Sequence, residues 1–247
     1  MNSAYHHPVA FRTELANATS RQLQSTSPAL IIPVGSVEQH GPHLPLDTDT
    51  RIATAVARSV ADRLADRNES NWTLAPAIGY AASGEHEGFP GTVSIGTSAL
   101  RLLLVEFGRS ASQWASRLVF VNGHGGNVEA LAAAVALLRY EGRDVGWCSC
   151  TAEDADAHAG HTETSVLLHI SPTDVWVDER LPGNRAPLAQ LMPQMRQGGV
   201  AAVSELGVLG DPTTATADEG ERILTEVVET CLRRIVRWVP NRDGMLT

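Results

Sequence analysis

The chain has 247 residues, 43% of them hydrophobic, a net charge of −9 and a sequence pI near 5.4. That is enough apolar content for a sizeable core, and the acidic balance argues against binding a phosphate backbone, which needs clustered Lys and Arg. Three cysteines, Cys148, Cys150 and Cys231, with no C-x-x-C pair, suggest neither a disulfide framework nor a thiolate zinc knuckle.

The opening MNSAYHHPVAF lacks a basic segment followed by an apolar run, so no secretory signal is expected, and no apolar stretch reaches the ~18 residues that cross a bilayer. A cytoplasmic address without membrane contact follows. ALIIPVG (29–35) reads as a buried strand. TRIATAVARSVADRLADR (50–67) places Ile52, Val56, Val60 and Leu64 on one helical face. WTLAPAIG (72–79) is a second strand, and TSALRLLLVEFGRSASQWA (97–115) a helix with Thr97 at its cap. RLVFVNG (117–123) is a third strand, and NVEALAAAVALLRYEG (127–142) a helix closing at Gly142. DVGWCSC (144–150) is a fourth strand, and 161–170 and 218–239 are helices. Branched strands alternating with helices predict one domain over 1–247, with a mostly parallel sheet covered on both faces.

Ligands of such sheets bind beyond the carboxyl ends of the strands. Three polar clusters follow predicted strands. In GSVEQHGPHLPLDTDT (35–50), Glu38 and His40 alternate along an extended segment and share a face. Pro42 and Pro45 stiffen it, and Asp49 falls just before a helix that begins near Thr50. The set fits zinc, iron(II) or manganese, and it also fits a solvated loop with a capping Asp. In NGHGGN (122–127), glycines leave His124 uncrowded, and the Walker lysine of a phosphate cradle is missing. DADAHAGHTET (154–164) offers Asp156, His158, His161 and Glu163; one histidine could ligate while the other moves protons. Glu85 and His86, in SGEHEGFPGT (83–92), are pocket-lining residues without an assigned chemistry.

GSVEQHGPHLPLDTDT, GEHEGFPGTVSIG, NGHGGN, HAGHTETS and GVLGDPTTATADEG occur in an order that resembles the creatininase family. The resemblance spans positions 35 to 220. It implies an amidohydrolase with a three-layer α/β/α sandwich, two divalent metal ions and a homo-oligomeric assembly, a hexamer favoured. By position it makes Glu38, His40, Asp49 and His124 metal ligands, with Asp49 bridging. Creatininase itself has a further glutamate ligand where this chain has Gly126, and Glu163 is the replacement the resemblance suggests. His158 matches the family's proton-transfer histidine; His161 has no assigned role. Longer segments, HAGHTETSVLLHISPTDVW and PGNRAPLAQLMP among them, resemble a peptide-cleaving branch of the family. That branch implies a modified precursor peptide as substrate, cut near its C-terminus to release a Val–Tyr-derived unit. The rival expectations are hydrolysis of a small cyclic amide or formamide, and a non-catalytic metal scaffold.

Overall fold

A computed structural model describes residues 14–24, 26–67 and 72–247; the opening MNSAYHHPVAF lies outside them. Four strands, β1 (Ala29–Val34), β2 (Trp72–Leu74), β3 (Arg117–Asn122) and β4 (Val145–Ser149), pair in parallel in the order β2-β1-β3-β4. The described helices are α1 (Ser20–Leu23), α2 (Thr48–Asp66), α3 (Gly96–Ala111), α4 (Val128–Tyr140), α5 (His161–Ile170), α6 (Leu188–Gly198) and α7 (Ala217–Arg237).

The three layers follow from the two-residue period of a strand. On β1, Ala29 and Ile31 join a core shared with Val56, Val60, Val166 and Leu232 of α2, α5 and α7. Leu30, Ile32 and Val34 join the opposite core, with Leu100 and Leu104 of α3 and Leu131 and Leu138 of α4. Burial on both faces explains why these strands read as unbroken apolar runs. Among the described residues no helix is long and apolar enough to cross a membrane.

Several predicted boundaries move. The second strand ends at Leu74 rather than residue 79, because Pro76 has no N–H for the ladder. The chain rejoins β1 through Ile78, whose N–H donates to Pro33. Thr97 does not cap α3; the helix starts at Gly96, with Ile95 at the cap position and no side-chain bond there. Helix α2 starts at Thr48, so Asp49 lies inside the first turn rather than before it. Helix α6 was not anticipated.

The chain runs from β1 outward to β2 and then crosses back to β3 on the other side of β1. The strand order therefore reverses between β1 and β3, and the loops leaving these two strands flank the crevice at a topological switch point. The loop after β1 is pressed onto the start of α2. A Cβ on Gly35 would lie 2.3 Å from the Thr50 Cα and 2.4 Å from its nitrogen. Backbone cannot yield there as a flexible side chain would. Gly35→Ala should cost about 1–3 kcal/mol of stability, the range of an overpacked interior, measured by urea unfolding. An unchanged midpoint contradicts this account of the loop.

Candidate metal centre

Three post-strand segments converge at the switch point. The loop after β1 supplies Glu38 and His40, α2 supplies Asp49, and the turn after β3 supplies His124. The segment beyond β4 supplies His158, and the first turn of α5 supplies Glu163. Glu38, His40 and Asp49 are almost fully buried, and His124 and His158 are each 6% exposed.

Backbone carbonyls orient the imidazoles. Nδ1 of His40 donates to the Glu38 carbonyl at 3.0 Å, which turns Nε2 toward the cluster. Nε2 of His124 donates to the Ala82 carbonyl at 3.0 Å, which turns Nδ1 toward it. Both inward nitrogens face carboxylates. His40 Nε2 is 3.1 Å from Asp49 Oδ1 and 3.9 Å from Glu163 Oε2. His124 Nδ1 is 3.2 Å from both Glu38 Oε1 and Asp49 Oδ2. Asp49 thus places one oxygen before each histidine, and Ser36 Oγ donates to its Oδ2 at 2.5 Å. Ala159 N–H fixes Glu163 at 2.6 Å.

The Glu38 carboxyl group tests whether this cluster suits a cation. Neither of its oxygens has a hydrogen-bond partner, although both are buried. The nitrogens nearest Oε1, His124 Nδ1 and His86 Nε2, stand at 3.2 Å but are not aligned to donate. Ligands ~2.0–2.2 Å from a common ion at octahedral or tetrahedral angles lie about 2.8–3.6 Å apart. Two overlapping donor sets come near that spacing, Glu38, Asp49 and His124, and His40, Asp49 and Glu163, with the ligand atoms of each set within 4.8 Å of one another. Glu38, His40 and His158 form a third. The residues fit a pair of divalent ions.

Without a cation the cluster holds protons instead. Burial raises Glu38 to about 8 and Glu163 to about 7. Burial opposes charge on His40, but Asp49, Glu163 and Glu38 outweigh it and raise that imidazole to about 10. Burial likewise opposes ionisation of Asp49, yet His40 and His124 keep its carboxyl well below the usual range.

Other residues take parts that the sequence did not announce. His86 reaches Glu38, and Glu85 Oε1 stands 3.4 Å from His124 Nε2. Gln39 donates through Nε2 to His86 Nδ1 at 2.8 Å and to the Gly207 carbonyl at 3.1 Å. His158 Nε2 donates to the Gln39 carbonyl at 2.7 Å, and its ring lies 4.3 Å from those of His40 and His86. His161 turns away to Thr214 Oγ1, 2.9 Å from its Nδ1. Asp156 has a structural part, accepting from the His161 and Thr162 amides at the start of α5. A side chain at position 126 has no room: a Cβ there would lie 2.3 Å from the Ala82 carbonyl and 2.5 Å from Glu85 Oε1.

The model of the creatininase family, described as creatinine amidohydrolase, matches residues 13–235. The chain belongs to the creatininase family. It is 70% identical over 247 residues to the mycofactocin precursor peptide peptidase of Mycolicibacterium smegmatis, spanning 100% of both chains. Among solved structures it is similar to a zinc–zinc form of a mutant creatininase and to a manganese creatininase. Each is 26% identical with a TM-score of 0.76, covering 93% of this chain and 99% of that one.

Because the stripped cluster stores protons, an incoming cation must expel them. Zinc titrated into chelator-stripped protein in weak buffer at about pH 6.5 should release at least about one proton per chain. Binding without acidification contradicts the assignment of these groups to the ion.

Proposed function

We propose that this hydrolase is a dinuclear metallopeptidase that cuts the mycofactocin precursor peptide near its C-terminus and releases the modified Val–Tyr-derived unit. The observation that carries the reading is the 70% identity, over the whole of both chains, to the M. smegmatis peptidase. The geometry supports it by placing two donor sets around one shared carboxylate.

Glu38, Asp49 and His124 would hold one ion, and His40, Asp49 and Glu163 the other, with Asp49 bridging. Imidazole and carboxylate donors suit zinc, iron(II) or manganese. Bound ions supply Lewis-acid polarisation of the scissile carbonyl and acidify water. His158 moves the proton. Its Nε2–H is committed to the Gln39 carbonyl, so Nδ1 carries the lone pair, 3.8 Å from Glu38 Oε1. Nδ1 takes a proton from the attacking water and returns it to the departing amine, which would otherwise leave as a poor anion. Glu38, Asp49 and Glu163 would together offset three of the four positive charges of two divalent ions.

We also assign the protein to the cytoplasm as a homo-oligomer, a hexamer favoured. The family resemblance supports the assembly, and Leu102, Trp176 and Tyr140 are large apolar side chains left 63%, 70% and 90% exposed. Sedimentation at micromolar concentration should give a multiple of the chain mass; a monomer contradicts it.

The activity is tested on the matured precursor peptide with three variants. His158→Ala should keep its metal and lose ~10²–10⁴-fold in turnover, the usual contribution of a positioned acid or base. Asp49→Ala should lose metal and activity together. Asp47→Ala should keep both, since Asp47 only pairs with Arg51 at 2.7 Å near the surface. Metal loss in His158→Ala that matches its activity loss would make His158 a ligand and overturn its role as proton carrier.

A further inference from the structure

The donor cluster opens into a cavity of about 620 Å³. Small-molecule sites span ~300–1,000 Å³. Asp49, His124, His158 and Glu163 line one side of it. Arg196 of α6 and Asp156 line it too, but much of the remaining lining is apolar, and much of that comes from α6. Leu188, Met192 and Met195 line the cavity at positions i, i+4 and i+7, one stripe of a helix. Ile223, Leu224 and Val227 of α7 line it as well.

Helix α6 has two apolar edges with different fates. Leu191, 5% exposed, packs with Val200 and Leu209 in a small core. Leu188, on the cavity edge, stays 44% exposed. The helix rests on the turn at Val200–Ala202 and on the turn at Gly84–His86 that carries Glu85 and His86. The same element therefore touches the metal-site periphery and lends apolar side chains to the cavity that the ligands also line. Apolar side chains facing water in a concave site gain by desolvation when an apolar ligand enters. Methionines add a soft surface that favours aromatic rings.

The scissile carbonyl must sit at the donor cluster, and His158, which protonates the departing amine, lines this same cavity. The group attached to that amine is thereby directed into the chamber. A chamber of this volume accommodates a dipeptide-sized unit. We propose that the chamber between α6 and α7 is the subsite for the released unit, and that Leu188, Met192 and Met195 select a unit bearing an aromatic ring. The proposal rests on the peptidase reading for the identity of its occupant.

Two neutral probes differing by one ring test it on zinc-loaded protein: valyl-tyrosinamide and valyl-alaninamide, compared by calorimetry. The tyrosine probe should bind ~10-fold more tightly or better, as burial of an aromatic ring predicts. Met192→Trp fills the chamber, and Leu188→Glu puts a charge in it from a partly exposed position. Each should bring the two affinities within about 3-fold of one another, with zinc content and melting temperature unchanged. Equal affinities in the wild type, or a ring preference retained in both variants, overturn the proposal. Cleavage of the matured peptide is measured on the same preparation. A ring preference that the variants abolish, without cleavage of that peptide by the wild type, upholds the chamber as a ring-selective subsite and refutes the peptidase reading alone.

Discussion

The Glu38 carboxyl group is the constraint around which the site is built. Both its oxygens are buried and neither accepts a hydrogen bond. Sealing an ionised carboxylate from water costs several kcal/mol even after relaxation, and among the described residues no arginine pairs with it to offset that cost. What it offers is imidazole nitrogens and further carboxylates, the surroundings of a cation. The proton affinities agree: burial raises Glu38 and Glu163, and neighbouring carboxylates raise His40, so the cluster attracts positive charge.

The fold brings these donors together from distant parts of the chain. Because the strand order reverses between β1 and β3, the loops after these strands part and leave a crevice at their carboxyl ends. The start of α2 closes one side, and Gly35 lets the β1 loop lie against it. The segment after β4 then delivers His158 and Glu163 to the same edge. Carbonyls of Glu38, Ala82 and Gln39 fix the three imidazoles, so orientation is set by backbone rather than by further side chains. Such outer partners commonly govern ligand basicity and ring position.

Much of this was legible in the sequence, for identifiable reasons. β1, β3 and β4 are buried on both faces and appear as apolar runs within a residue of their true limits. Glu38, His40, Asp49, His124, His158 and Glu163 lie in three post-strand segments, and a parallel sheet sends such segments to one edge. Gly126 marked the departure from the creatininase pattern, and the crowding at that position gives its physical basis. Helix α6 was illegible although Leu188, Leu191, Met192 and Met195 have helical spacing. Pro193 inside it and Gly198–Gly199 at its end resemble loop punctuation, and the helix is held by packing that no local pattern discloses. Glu85 and His86 gave no signal of their contacts, because those depend on how the 84–86 turn folds back over His124. Gln39 stood between two recognised residues, and its bonds to His86 and Gly207 exist only in three dimensions.

The central claim is that two ions share Asp49. Anomalous diffraction from crystals of the zinc- or manganese-loaded protein tests it most directly. The account predicts two peaks per chain, ~3.5–4 Å apart as in other two-metal hydrolases, one beside Glu38 and His124 and one beside His40 and Glu163, with the Asp49 carboxylate between them. A single peak, or a pair in which Asp49 contacts only one ion, would contradict it.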